Sequence, residues 1–281
     1  MLVCQGRAAA HGRIAPEAFA DPVALPMLRG DERVPVDQVR ADARPDGAAA
    51  RVGYEMVRAS AEAVVPRTVA IDAAVRSASA GQVVILGAGL DGRAWRMAEL
   101  AGAEVYEVDH PASQQDKRTR VAGLHPVAGA LHWVPVDFSR DRLGDALDAA
   151  GQRADAPTSW VWEGVVAYLS RPEVEATVGA VAARSAAGSS LVVNYQAPSI
   201  AAGAGRIVAR GMLALARSPG LWRDEPRRSA WTAPAMAALL ARHGFTVTGD
   251  EDTLTIARRL PMTIQQRRSL ASGRVATAER Q

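Results

Sequence analysis

The sequence predicts an α/β protein built on an open, mostly parallel sheet with helices on both faces. Three observations carry this. Short apolar runs alternate with helix-like segments from residue 82 to residue 195, the order a parallel sheet with crossover helices requires. The runs are continuously apolar, as in Val83-Val84-Ile85-Leu86 and Trp160-Val161-Trp162, because a strand covered by helices is buried on both faces. The first run opens into a glycine turn, Gly87-Ala88-Gly89, and the second ends in Asp109. Glycines let the backbone turn sharply and approach a ligand where a Cβ would intrude. An acid at the tip of the next strand can hydrogen-bond a ribose diol. The stretch from Gln82 to Pro111 therefore predicts a nucleoside-cofactor site.

Taken in order, residues 1–34 are rich in Ala, Pro and Gly, with breakers at Pro16, Pro22 and Pro26. They predict a loose arm with at most a short helix near Ala15 to Ala20. Residues 35–81 form a helical preface: apolar residues recur at three- and four-residue steps, and Pro66 is expected to open the last of two or three helices. After the glycine turn a helix is expected from Asp91 to Leu100, then strand two at Glu104 to Asp109 and a helix at Ala112 to Val121. His132 to Asp137 is strand three, followed by a helix at Arg140 to Ala150 and strand four at Ser159 to Glu163. Pro172 opens a helix to about Ser185, and Ser189 to Tyr195 is strand five. Residues 196–228 break the rhythm, with a helix expected at Ile207 to Ala216; they read as a lid or substrate cap, or as a surface excursion. Pro234 to His243 is a helix closed by Gly244. Phe245 to Thr248 and Thr253 to Ile256 predict a closing antiparallel hairpin with a turn at Gly249-Asp250. The domain is expected to span residues 35–260, and residues 261–281 read as a basic C-terminal tail.

Bulk properties narrow the function. A chain of 281 residues with 48% hydrophobic and 22% charged residues suits one large soluble domain. The net charge of +3 is almost all arginine, since Lys117 is the only lysine. No basic stripe with interleaved aromatics is present, so nucleic acid is not expected as a partner. One cysteine, Cys4, excludes an intramolecular disulfide, and the five histidines show no metal-ligand pairing, so no metal is expected. No apolar run reaches the length of a membrane span and no signal peptide is evident. A reduced, cytoplasmic protein, monomer or homodimer, is the expectation.

Gly87-x-Gly89-x-x-Gly92 satisfies the dinucleotide fingerprint, and Asp109 follows at the expected distance. This raises an NAD(P)-dependent oxidoreductase as one reading. The turn, however, comes after some eighty residues, the chain ends in an antiparallel pair, and no hydride-transfer partner pattern is present. S-adenosylmethionine fits the wider pattern better, because it needs acids for its ribose and adenine and a cation for its carboxylate. Asp109 would accept from the ribose, Asp137 from the adenine amine, and Arg67 would reach the methionyl carboxylate. Arg93 and Arg96 read as helix-face residues, one pairing with a neighbouring acid.

Several segments carry a resemblance. VILGAGLDGRAWRM, YEVDHPASQQDKRTRV, VPVDF and VWEGVVAYLSRPEVEATVGAVAARSAAGSSLVVNY resemble the leucine carboxyl methyltransferase family, nearest its bacterial branch of class I S-adenosylmethionine-dependent methyltransferases. PRTVAID upstream, and WRDEPRRSAW with LARHGFTV downstream, extend the likeness over roughly residues 54–258. The resemblance implies a Rossmann-like class I methyltransferase sheet. It implies that Arg67 binds the methionyl carboxylate and that Gly87, Ala88 and Gly89 line the cofactor tail. Asp109 would hold the ribose, and Asp137 with the backbone of Phe138 the adenine. Glu163 and Gly164 would sit by the transferred methyl, and Tyr168 at the acceptor mouth. A core aromatic is the other reading of Tyr168. Gly92 replaces the threonine common in the family, which loosens the first turn after the glycines. The implied product is S-adenosylhomocysteine, and the implied acceptor is a small molecule or peptide. A carboxylate acceptor needs no general base; a phenol or alcohol would need one, with His110, Tyr168, Tyr195 or His243 as candidates.

Overall fold

The computed structural model describes residues 1–138, 140–198 and 228–281. Seven strands form one sheet: β1 Gln82–Leu86, β2 Glu104–Asp109, β3 Ala130–Pro135, β4 Thr158–Trp162, β5 Ser190–Gln196, β6 Phe245–Asp252 and β7 Gly273–Arg280. Their order is β3-β2-β1-β4-β5-β7-β6. The first five are parallel, while β7 runs antiparallel to both β5 and β6. Alternate residues of β1 point to opposite faces. Val83 and Ile85 join a core with Cys4, Ala8, Val57 and Ile71, and Val84 and Leu86 join a second core with Trp160, Trp162, Val178 and Leu239. Each fully buried aliphatic side chain contributes roughly 1.5–3 kcal/mol, so this two-sided burial is what holds the short β1 in the centre.

The helices are α1 Leu2–Ala10, α2 Val34–Arg40, α3 Ala48–Ala78, α4 Arg93–Arg96, α5 Pro111–Arg120, α6 Leu143–Ala149 and α7 Arg171–Ala183. After the segment 199–227 come α8 Ala233–Arg242, α9 Thr253–Ala257 and α10 Arg267–Ser272. The expected lid and its helix at Ile207 to Ala216 fall on residues 199–227, outside the described residues.

Three expectations are corrected. The N-terminal segment is no loose arm: α1 buries Cys4 to Ala10. Small side chains permit this, since a Cβ on Gly6 would collide with Ser60 of α3, whose hydroxyl donates to Leu2 O at 3.0 Å. Arg40 closes the other end of α1 by donating to Ala8 O and His11 O at 2.9 and 2.8 Å. The preface is not broken at Pro66, which lies inside the 31-residue α3. A proline in a helix interior costs about 3 kcal/mol; burial of Val57, Val64, Val65, Ile71 and Val75 along one face offsets it.

The closing pair is also different. β6 runs through Gly249-Asp250 to Asp252, and Thr253–Ala257 is a helix because Asp252 caps it, accepting from Thr255 N at 2.9 Å. The antiparallel partner is β7, drawn from the segment expected to be a tail. Val275, Ala276 and Ala278 are buried there, and Arg274 extends to Asp250 at 2.9 Å. The single lysine is also interior: Lys117 Nζ lies 2.6 Å from Glu107 Oε2 and 5.0 Å from the Trp95 ring centroid. Among the described residues no helix is long and apolar enough to cross a membrane, and no group of three His, Cys, Asp or Glu is arranged to hold a metal ion.

Candidate functional site

The strand register brings the predicted residues to one end of the sheet. Leu86 of β1 pairs with Val108 of β2 and with Trp162 of β4, and Asp109 pairs with Pro135 of β3. The residues that follow, Gly87, Glu163 and Asp137, therefore emerge side by side with Asp109. Gly87 and Ala88 N–H groups both donate to Val108 O, at 2.8 and 3.0 Å, which folds the turn back against β2. Gly87 has φ +66° and Gly89 φ +48°, and a Cβ on Gly87 would overlap Val165. Only glycine fits that corner. Gly89 N–H donates to Asp109 Oδ2, and His110 N–H to Oδ1 at 2.7 Å. A carboxylate has further lone pairs to offer a ligand.

All ten predicted residues, Arg67, Gly87, Ala88, Gly89, Asp109, Asp137, Phe138, Glu163, Gly164 and Tyr168, line one cavity of about 650 Å³. That lies within the range of about 300–1,000 Å³ usual for small-molecule sites. Tyr168 is 40% exposed in a single helical turn, Val166–Tyr168, so it is not a core aromatic. Of the other candidate bases His110 lines the cavity, whereas Tyr195 and His243 do not. Tyr195 donates its hydroxyl to Asp250, and burial with that carboxylate pushes it well above the usual phenol range.

Charge on one wall of the cavity is organised around Glu163. Arg67 Nε donates to its Oε1 at 2.7 Å and Arg93 Nη2 to its Oε2 at 2.8 Å. Arg93, 1% exposed, also binds Asp72 at 2.8 Å and Asp91. Arg96 holds Asp72 at 2.7 Å, and Arg7 binds Asp21 at 2.8 Å and donates to Leu90 O. Burial alone would raise the Glu163 carboxyl; Arg67, Arg93 and Arg7 outweigh it and hold it well below the usual carboxylate range. Arg93 and Arg96, expected on a helix face with one paired to an acid, both pair with acids: each binds Asp72 of α3, and both guanidiniums are buried. Arg67 Nη2 is buried with no hydrogen-bond partner among the described residues, a donor left for an anionic group.

Sequence reasoning missed the contribution of α1, which brings Met1, Val3, Cys4 and Arg7 to the cavity. A usable signal was present, since Arg7 is the only charged residue in Leu2–Ala10. Gly92 also gains a purpose. A Cβ there would meet Val23 and Asp21, so this glycine lets the N-terminal segment close against the turn.

Comparison with known proteins gives the family of the chain. The pattern of the leucine carboxyl methyltransferase family matches residues 1–182. A protein of Mycolicibacterium vanbaalenii assigned as an S-adenosyl-L-methionine-dependent methyltransferase is 36% identical over 263 residues, covering 88% of this chain and 82% of its own. One of Mycobacterium marinum, with the same assignment, is 33% identical over 96% of this chain and 90% of its own. Among solved structures, magnesium protoporphyrin IX methyltransferase from Synechocystis with bound SAH aligns with a TM-score of 0.47 at 15% identity, over 79% of this chain and 87% of that one. The chain belongs to the leucine carboxyl methyltransferase family. It is an S-adenosylmethionine-dependent methyltransferase of the α/β class I fold, and the NAD(P) reading of its glycine spacing falls.

Proposed function

We propose that this methyltransferase acts on oxygen, methylating a carboxylate of a small molecule or peptide. In this reading Arg67 binds the methionyl carboxylate through its open Nη2, Gly87 to Gly89 line the tail, and Asp109 holds the ribose. Asp137 and the Phe138 backbone hold the adenine. Glu163 fixes Arg67, and Gly164 and Tyr168 border the place of transfer. When bound, S-adenosylmethionine supplies an electrophilic methyl on a sulfonium. An acceptor carboxylate, already ionised, would take that methyl at one oxygen as the carbon–sulfur bond gave its electron pair to sulfur, and no residue of this chain would have to move a proton. Holding the partners in line can contribute about 7–11 kcal/mol.

The observation that carries the carboxylate reading is the state of His110. Its Nδ1 accepts from Ala112 N at 3.2 Å, capping α5, so the neutral imidazole carries its proton on Nε2 and cannot accept one there. Of the four candidate bases named from the sequence, that leaves Tyr168, a phenol, at the cavity, whose lining carboxylates are taken up by the ion pairs and cofactor roles above. A carboxylate acceptor, ionised at neutral pH, needs neither. Two measurements test the reading. Calorimetry with S-adenosylhomocysteine should show Asp109→Ala weakening binding by about ten- to hundredfold, as expected for a charged hydrogen bond of roughly 1.5–3 kcal/mol. Mass spectrometry of turnover with decanoate and decanol should show a methyl ester and no ether. Ether formation from decanol, without ester, would overturn the carboxylate assignment in favour of a hydroxyl acceptor.

A further inference from the structure

A second cavity, about 690 Å³, lies between α6 and α7 and shares Phe138 and Val165 with the cofactor cavity. Val165 is the partition, since its Cγ2 fills the space above Gly87 on one side while its side chain borders the groove on the other. The groove wall is apolar: Leu143, Trp162, Val165, Leu169, Ala176 and Ala180. Its charged lining is Asp141, Asp145, Asp148 and Glu173 with Arg142 and Arg184; at the Val165 end Glu173 is paired to Arg228 at 2.9 Å and Asp141 accepts from Asp137 N–H at 2.8 Å. Arg184 is committed inward, to Asp148 and to Gln152.

We propose that this groove is the acceptor subsite and takes a monocarboxylic acid with an extended apolar body and a neutral or cationic far end. The proposal rests on the carboxylate reading above and names the class of acid. The apolar body lies along the α6–α7 groove, which removes that surface from water. The carboxylate then reaches the Val165 end, where the groove meets the cavity beside Gly164 and Tyr168. Toward the other end of the groove Asp145 and Asp148 stand against Arg184, so a second carboxylate there is repelled and dicarboxylic acids of equal length are rejected by charge.

The test uses the full chain saturated with S-adenosylhomocysteine, with decanoate, decanedioate and 10-aminodecanoate as probes in calorimetry. Ala176 is exposed and Ala180 half-buried, four residues apart on one face of α7, so a phenylalanine at either position can fill the groove without entering the core. Decanoate and 10-aminodecanoate should bind, and decanedioate at least tenfold more weakly. Ala176→Phe and Ala180→Phe should each lower decanoate affinity at least tenfold while leaving S-adenosylhomocysteine affinity within twofold. Asp145→Lys should narrow the gap between decanoate and decanedioate. Failure of decanoate to bind, or undiminished binding in both phenylalanine variants, overturns the proposal. Failure of the unsubstituted protein to bind S-adenosylhomocysteine is a separate result that overturns the cofactor assignments first.

Discussion

Arg93 and Glu163 meet at 2.8 Å although one follows the glycine turn and the other ends β4. Arg93 does not line the cavity; it holds in place the carboxylate that in turn holds Arg67. Removing it would leave Asp72, Asp91 and Glu163 short of a cation in a region where each is 8% exposed or less. Arg93→Ala should therefore cost about 3–5 kcal/mol of stability, read as a lower urea midpoint. Arg93→Lys should recover only part of it, because an ammonium cannot present a planar fork to three acids. Glu163 has a folded-state pKa below its unfolded value of about 4.3. Its contribution is present above that pH and is lost as pH falls through the folded value. A midpoint unchanged in Arg93→Ala would refute the role given to the cluster.

The open Nη2 of Arg67 makes a selective prediction. Arg67→Ala should weaken S-adenosylhomocysteine binding by about ten- to hundredfold, the value of one charged hydrogen bond. It should leave 5′-methylthioadenosine, which lacks the amino-acid carboxylate, within twofold. Equal losses for the two ligands would mean that Arg67 acts only by supporting the cavity wall.

Gly87 and Val165 can be separated by a double-mutant cycle. Gly87→Ala combines a positive φ, a strain of roughly 1–2 kcal/mol, with overlap against Val165 Cγ2. Val165→Ala in the same chain should return the overlap and leave the strain, so the two changes should be strongly non-additive in thermal unfolding. Simple additivity would show that the turn relaxes without touching Val165.

The interior pair Lys117 and Glu107 predicts a pH effect. Burial pushes Glu107 up to about 7 against the opposing pull of Lys117. That folded value lies above the unfolded value of about 4.3, so the site's contribution is complete below pH 4.3 and is lost as pH rises through 7. Lys117→Met removes the opposing cation and raises Glu107 further. The variant should lose about 3–5 kcal/mol at pH 8 and distinctly less at pH 5, where Glu107 is neutral. Urea unfolding at the two pH values checks this, and an equal deficit at both would sink it.

The parts legible in the sequence were those with a one-dimensional signature. Val83 to Leu86 and Trp160 to Trp162 announce themselves as buried strands, and the acids at strand tips follow from register. The illegible parts depend on surfaces that no local pattern describes. The α1 helix carries Gly6 where it approaches Ser60 closely and three alanines beyond it, and that composition looks like a flexible arm. In β7, the buried Ala276 and Ala278 lie between Arg274 and Arg280, whose charged ends reach Asp250 and His243 O, so a sheet strand has the composition of a tail. Arg93 reads only as a helix-face residue with an acid for a neighbour, because nothing local shows that Asp72, on a helix twenty-one residues earlier, comes to meet it.

Placing β7 between β5 and β6 has a consequence for how the protein is made. Two strands already synthesised must wait apart until the later-made β7 is threaded between them, and its partners lie 22 to 89 residues upstream in register. Until then β5 and β6 each present an unpaired edge of the kind that recruits other chains. A premature stop just before Gly273 would thus leave the cofactor end of the sheet written in full, yet yield a chain prone to join its neighbours.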